Sequence, residues 1–206
     1  MDNYIITIAR GFGSGGKRIG VDLGLELGIP CYESQILSMA SEYSGINKDR
    51  FVEVDERLRN FTSKLKLAPT TNFVLEPTDR HFVSDDNLFN IQAAIIEQLA
   101  HTESCIIVGK CANWVLRNYR NVLSIYVEAP RDFCARSVME RLGVGLDEAS
   151  RLIERTDRYR ADYFKHYTKG RDWTDPVLYD LTLNSGRVPP EDCVELIAHY
   201  ARRKFA

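Results

Sequence analysis

The chain has 206 residues, 44% of them hydrophobic, with 27 basic and 29 acidic side chains and a net charge of −2. That length suits one domain of the larger sort, and no apolar tract approaches membrane-spanning length. The near balance of charge supplies no field to draw nucleic acid. The opening "MDNYIITIARG" lacks the basic flank and small-residue cleavage site of a signal peptide, so it reads as a native strand of a cytoplasmic protein. Five cysteines (31, 105, 111, 134 and 193) form no C-x-x-C pair, which suits buried, reduced thiols. The four histidines are scattered, and no metal site held by protein side chains is expected.

"YIITIA" (4–9) is a β-branched apolar run ended by Gly11, which predicts a buried strand. From Lys17 to Leu27 apolar residues recur at Ile19, Leu23 and Leu27, the spacing of a helix, and Gly28-Ile29-Pro30 stops it. "PCYES" is a brief extended piece, followed by helices over 34–43 and 48–61. Residues 62–86 hold Pro69, Pro77 and many Thr, Asn and Asp residues, a loop-rich excursion read as a mobile lid or a partner surface. Helix returns over 87–101. "CIIVG" (105–109) and "VLSIYVE" (122–128) are continuous apolar runs, as strands covered on both faces require. Helices follow at 111–118, 131–141, about 147–165 and 190–204, with a last strand in "YDLTLNS" (179–185). Strands alternating with helices imply a parallel sheet in a three-layer α/β domain.

In such sheets ligands bind beyond the carboxyl ends of the strands. At the first such end, Gly11, Phe12, Gly13, Ser14, Gly15, Gly16 and Lys17 spell G-x-x-x-x-G-K, the first seven positions of a phosphate-binding P-loop. A strand precedes the motif and an amphipathic helix follows it, the context that lets backbone N–H groups, the helix's positive end and Lys17 converge on phosphate oxygens. The eighth position, normally Ser or Thr, is Arg18.

The helix around 151–164 carries its own signal. At 100° per residue, Arg151, Arg155, Arg158 and Asp162 share one stripe, while Leu152, Ile153, Tyr159, Tyr163 and Phe164 form a broad opposite face. Arg160 points into the middle of that apolar face. A guanidinium there needs an anion, which Asp157, a carboxylate elsewhere or a phosphate could provide.

"ITIARGFGSGGKRIGVDLGLELGIPCYESQIL", "CIIVGKCANWVL" and "ERTDRYRADYFKHYTKGRDWTDPVLYDLTLNS" together resemble the cytidylate-kinase-like family, a branch of the nucleoside monophosphate kinases. The resemblance covers nearly the whole chain and is weakest from 47 to 85. It implies a P-loop fold with a five-stranded parallel sheet and helices on both faces. One domain, 1–206, would hold an acceptor-binding region at about 34–86 and an arginine-bearing lid at about 151–173. Cytidylate kinases carry Asp-Gly-Arg-Asp after the third strand, whose arginine grips the monophosphate. Here the match is "VGKC", with Lys110 in the arginine's place and the bidentate fork lost. Their lid begins Arg-Asp-Asp-Arg-Asp-Arg, and "RTDRYR" (155–160) matches its three arginines, so Arg155, Arg158 and Arg160 are expected to clamp transferring phosphates. Tyr159 replaces a ribose-contacting aspartate, and Tyr32 and Glu33 stand at the acceptor wall.

The implied activity is transfer of the γ-phosphoryl of ATP to a CMP- or dCMP-like acceptor. Lys17 and the loop, Gly11 to Arg18, would hold the donor phosphates, and Lys110 would position the acceptor. Arg18 and Gly109 stand where Mg²⁺ ligands are usual, so the ion would be held largely by ATP and water. Two alternatives stay open: a nucleotide sensor without turnover whose 62–86 segment engages a partner, and a kinase of a non-nucleotide small molecule. The oligomeric state is open.

Overall fold

The computed structural model describes residues 3–57, 74–81 and 83–206. Five strands, β1 (Ile5–Arg10), β2 (Cys31–Tyr32), β3 (Cys105–Val108), β4 (Val122–Glu128) and β5 (Leu181–Asn184), make one sheet in the order β2-β3-β1-β4-β5. Every pairing is parallel, and Ile5 of the central strand is in register with both Cys105 and Val122.

The alternation of side chains along β1 and β3 sorts two cores onto the two faces. Ile6, Ile8, Ile106 and Val108 pack with Ile19 and Leu23 of α1 (Gly16–Leu27) and with Ile197 and Ala201 of α8 (Pro190–Lys204). Ile5, Cys105 and Ile107 face the other way. They meet α2 (Gln35–Ser44) through Ile36 and Leu37, α3 (Lys48–Arg57) through Phe51, and α4 (Asp85–Thr102) through Leu88, Ile91 and Ile96. The domain therefore has three layers. Burying each of these isoleucines contributes about 1.5–3 kcal/mol.

α4 starts earlier than the expected 87, because Ser84 accepts a hydrogen bond from the Asn87 amide while Asp85 and Asp86 sit at the helix's positive end. Its 18 residues run about 27 Å, about twice the reach of four-residue β3. Gln92 is buried on this helix with neither amide atom hydrogen-bonded among the described residues.

The helix expected at 111–118 is a single turn, α5 (Ala112–Val115). Gly109, Lys110 and Cys111 before it all have positive φ (81°, 57° and 53°), and Arg117 and Tyr119 close i−3 turns after it. α6 (Arg131–Leu142) and α7 (Leu146–Tyr167) follow β4, and a 3-10 turn at Pro176–Leu178 leads into β5. Residues 58–61 of the expected third helix, and most of the 62–86 excursion with its lid-or-partner reading, lie outside the described residues. Within the excursion, 74–81 is turn-rich, and the Leu75 amide donates to Asn87 Oδ1 at 2.8 Å. All five cysteines are free thiols, Cys31 half-buried and the others buried. Among the described residues no helix is long and apolar enough to cross a membrane.

Candidate active site

The chain leaves β1 at Gly11, whose amide still donates to Val127 O (3.0 Å), so the glycine loop begins as a continuation of the sheet ladder. Gly13 has φ +89°, and a Cβ there would lie 2.7 Å from Cys134 O, so only glycine lets the loop rest on α6. The buried Ser14 hydroxyl donates to Gly11 O (2.9 Å), and Ser14 O accepts from the Ser185 hydroxyl (2.5 Å) beyond β5. Gly15 caps α1, and Gly16 opens it. Among the described residues nothing accepts a hydrogen bond from the amides of Gly13, Gly15, Lys17 and Arg18. Four donors thus ring the positive end of α1, the arrangement that binds phosphate oxygens.

Two cations share one carboxylate beside the loop. Glu33, just after β2, pairs through Oε2 with Lys17 Nζ (2.6 Å) and through Oε1 with Arg10 Nη2 (2.9 Å). Burial acts to raise the Glu33 pKa. The hydrogen bond from Lys17 and the charges of Arg10 and Lys17 outweigh it, and the carboxyl titrates below its ordinary range. Arg18 turns outward, 79% exposed, and pairs with Asp22 one helical turn on (3.4 Å). Neither Arg18 nor the inward-turned Ser14 hydroxyl offers an oxygen to a cation at the loop.

The anion that Arg160 requires is Asp157. Arg160 Nη1 donates to Asp157 Oδ1 (3.2 Å) and to the carbonyl of Arg10 (2.9 Å). The same Oδ1 accepts from the Phe12 amide (2.8 Å), and Oδ2 takes Arg131 Nη1 (2.6 Å). The Arg160 guanidinium also lies 5.6 Å from the centroid of the Phe12 ring. Burial first, and then the charge of Arg10, pushes the Arg160 pKa down to about 10, against the pull of Asp157 and Glu33. Helix α7 is therefore docked on the glycine loop through one buried carboxylate.

The remaining expected residues are spread more widely. Lys110 sits in the left-handed turn after β3. Arg155 and Arg158 are on the solvent face of α7, where Arg158 pairs with Glu154 (2.5 Å). Tyr32 points away from the loop, its hydroxyl donating to Glu103 Oε1 (3.0 Å) at the far end of α4, and burial together with that carboxylate raises its pKa to about 12. Lys17, Glu33 and Arg160 are thus brought together, whereas Tyr32, Arg155 and Arg158 stand apart from them. Sequence reasoning missed Arg10 and named Asp157 only as one possible partner for Arg160. The signal for Arg10 was present: a cation ends an otherwise apolar, buried strand.

Comparison with known proteins agrees with this geometry. The family model described as the cytidylate kinase-like family matches residues 5–187. A cytidylate kinase of Sulfolobus acidocaldarius is 29% identical over 115 residues, 55% of this chain and 62% of that protein. A match to a cytidylate kinase of Saccharolobus islandicus, 30% identical, covers 53% of this chain and 57% of that protein, so the chain spans about three fifths of the length of the curated relatives it matches. Among solved structures, an uncharacterized protein from Eubacterium ventriosum superposes with a TM-score of 0.71 at 25% identity, covering 97% of this chain and 99% of the other. The shikimate kinase of Bacteroides thetaiotaomicron (TM-score 0.54, 12% identity, 97% and 98% covered) shares the fold. The sheet order and glycine loop are those of a P-loop kinase fold.

Proposed function

The chain belongs to the cytidylate kinase-like family, and on that premise we propose that it transfers the γ-phosphoryl of ATP to a nucleoside monophosphate of the CMP or dCMP type. The observation that carries the reading is the convergence of Lys17, Arg10 and Arg160 beside a ring of loop amides, at the carboxyl ends of β1 and β3. Phosphoryl transfer asks little covalent chemistry of a protein; it asks for alignment, exclusion of water and positive charge where the transition state spreads negative charge. The loop amides and Lys17 hold the β- and γ-phosphates. Arg160 lies beside the loop, and the Arg155 and Arg158 side chains reach over the transferring group from the same helix, α7. The acceptor enters from the 34–86 side, toward Lys110 and the cations that Glu33 holds, with Tyr32 bracing the wall from behind.

Mg²⁺ bound with ATP would supply neutralising charge at the donor phosphates. The oxygens near Lys17 are already engaged: the Ser14 hydroxyl serves the loop and Glu33 serves two cations. No protein ligand is assigned to the ion, which would be held largely by nucleotide oxygens and water.

ADP release, followed by a coupled assay over all nucleoside monophosphates and a set of hydroxylated small acids and sugars, tests the proposal. CMP or dCMP is expected to turn over fastest. Turnover confined to a non-nucleotide acceptor would change the substrate and keep the reaction class. ATP binding without ADP release on any acceptor would replace the kinase by a nucleotide sensor.

A further inference from the structure

Arg10 is the charge that the loop's own chemistry leaves unexplained. It ends β1 at the point where the strand order reverses, with β3 on one side and β4 on the other. Its side chain is 17% exposed, and a guanidinium so placed requires an anion. Among the described residues that anion is Glu33, which Arg10 shares with Lys17. A second buried guanidinium, Arg160, reaches the Arg10 carbonyl, and its own carboxylate, Asp157, is divided among Arg160, Arg131 and the Phe12 amide. Among the described residues, Arg10, Lys17, Arg160 and Arg131 are paired with two carboxylates, Glu33 and Asp157, with the Glu128 carboxylate lying against Gly11 beside them.

The turn after β3 is shaped around Arg10. Gly109 has φ +81°, and a Cβ there would overlap the Arg10 guanidinium. The guanidinium thus lies on the β3 side of the loop. The donor phosphates fall to the loop amides, and the Ser14–Ser185 tie binds the loop on its β5 side. A phosphate monoester suits the vacancy in charge: its three oxygens meet a guanidinium fork and a second cation together, where a carboxylate has only two. Glu33 is a quarter exposed, so water replaces its cations when they leave.

We infer that Arg10 binds the phosphate monoester of the acceptor, and that Glu33 is the counter-ion holding Arg10 and Lys17 until acceptor and donor phosphates take them over. The inference rests on the reading of a monophosphate acceptor given above.

The test is calorimetric titration of CMP, and separately of inorganic phosphate, into protein already saturated with a non-hydrolysable ATP analogue and Mg²⁺. Arg10→Gln is expected to weaken CMP by about tenfold or more, Arg10→Lys by less, and both are expected to bind the analogue within about threefold of the parent. Analogue binding by Arg10→Lys reports an intact fold should Arg10→Gln fail to fold. Glu33→Gln is expected to bind CMP at least as tightly as the parent, since a competing anion has gone. If the parent refuses CMP but binds inorganic phosphate, and the Arg10 variants weaken that phosphate, the anion site stands and the nucleoside monophosphate reading falls. The inference is overturned by Arg10 variants that bind CMP or phosphate as the parent does, by a parent complex that binds neither, or by a Glu33→Gln protein that loses acceptor affinity.

Discussion

Asp157 Oδ1 accepts a hydrogen bond from the Phe12 amide at 2.8 Å, across 145 residues of sequence. One carboxylate on α7 thereby fixes the second residue of the glycine loop, and the same carboxylate pairs with Arg160 and Arg131. The orientation of the loop is held by a residue of α7.

Asp157→Ala leaves Arg160 buried without its carboxylate, and a broken buried pair of this kind costs about 3–5 kcal/mol. Urea denaturation should show a loss of that order. Asp157→Asn should lose less, because its side-chain oxygen still accepts from the Phe12 amide. Equal stability of parent and Ala variant would mean that the docking of α7 on the loop contributes nothing to the fold.

Lys17 is 65% exposed, and its ion pair is the one with Glu33. Lys17→Ala should therefore change stability by less than about 1 kcal/mol. The rise in Tm expected when ATP is added to the parent should vanish. A variant stabilised by ATP as strongly as the parent would take the lysine out of the phosphate site.

The three lid arginines should separate in two measurements. Arg155→Gln and Arg158→Gln lie on the solvent face and should keep stability within about 0.5 kcal/mol. If they clamp the transferring group, their kcat falls on the order of 10³ with little change in donor affinity. Arg160→Gln should lower both kcat and Tm, since it removes a buried pair as well as a phosphate contact. A drop in Tm with normal kcat would make Arg160 a residue of the fold alone.

Glu33 gives a pH signature. Its pKa lies below the ordinary 4.5 in the folded chain, so its contribution to stability is complete above that value. As pH falls below 4.5 the unfolded chain takes up the proton first, and the contribution is gone once pH has passed the folded value. The stability difference between parent and Glu33→Gln, from urea melts, should be constant from about pH 8 to pH 6 and shrink below the ordinary carboxylate range. A difference independent of pH down to acid unfolding would rule out the depressed carboxyl.

The layers, the strand succession and the loop were legible in the sequence because each follows from a local period: "YIITIA" and "CIIVG" have strand chemistry, and Ile19, Leu23 and Leu27 mark a helix face. Arg160 was legible as a charge in need of a partner for the same reason. Arg10 and the sharing of Glu33 were not, because the pairing joins the end of β1 to the end of β2 through a turn at Gly109, and no local pattern encodes that meeting. Helical spacing over 111–118 also misled, since three left-handed residues had already turned the chain before the helix could extend.

The central position of β1 fixes when this protein can acquire its phosphate loop during synthesis. β1 is made first, yet its neighbours begin only at Cys105 and Val122, and the carbonyl that receives the Gly11 amide belongs to Val127. At about 5–20 residues per second, Ile5, Ile6 and Ile8 stay without a sheet for several seconds while the rest of the chain emerges. Contacts of such long sequence separation also slow folding itself. A nascent chain stopped before β4 can pair β1 with β3, but it lacks the Val127 carbonyl that receives the Gly11 amide, the Asp157 carboxylate that receives the Phe12 amide and the Ser185 hydroxyl that ties Ser14. The loop's supports therefore arrive late, the last of them, Ser185, only after β5.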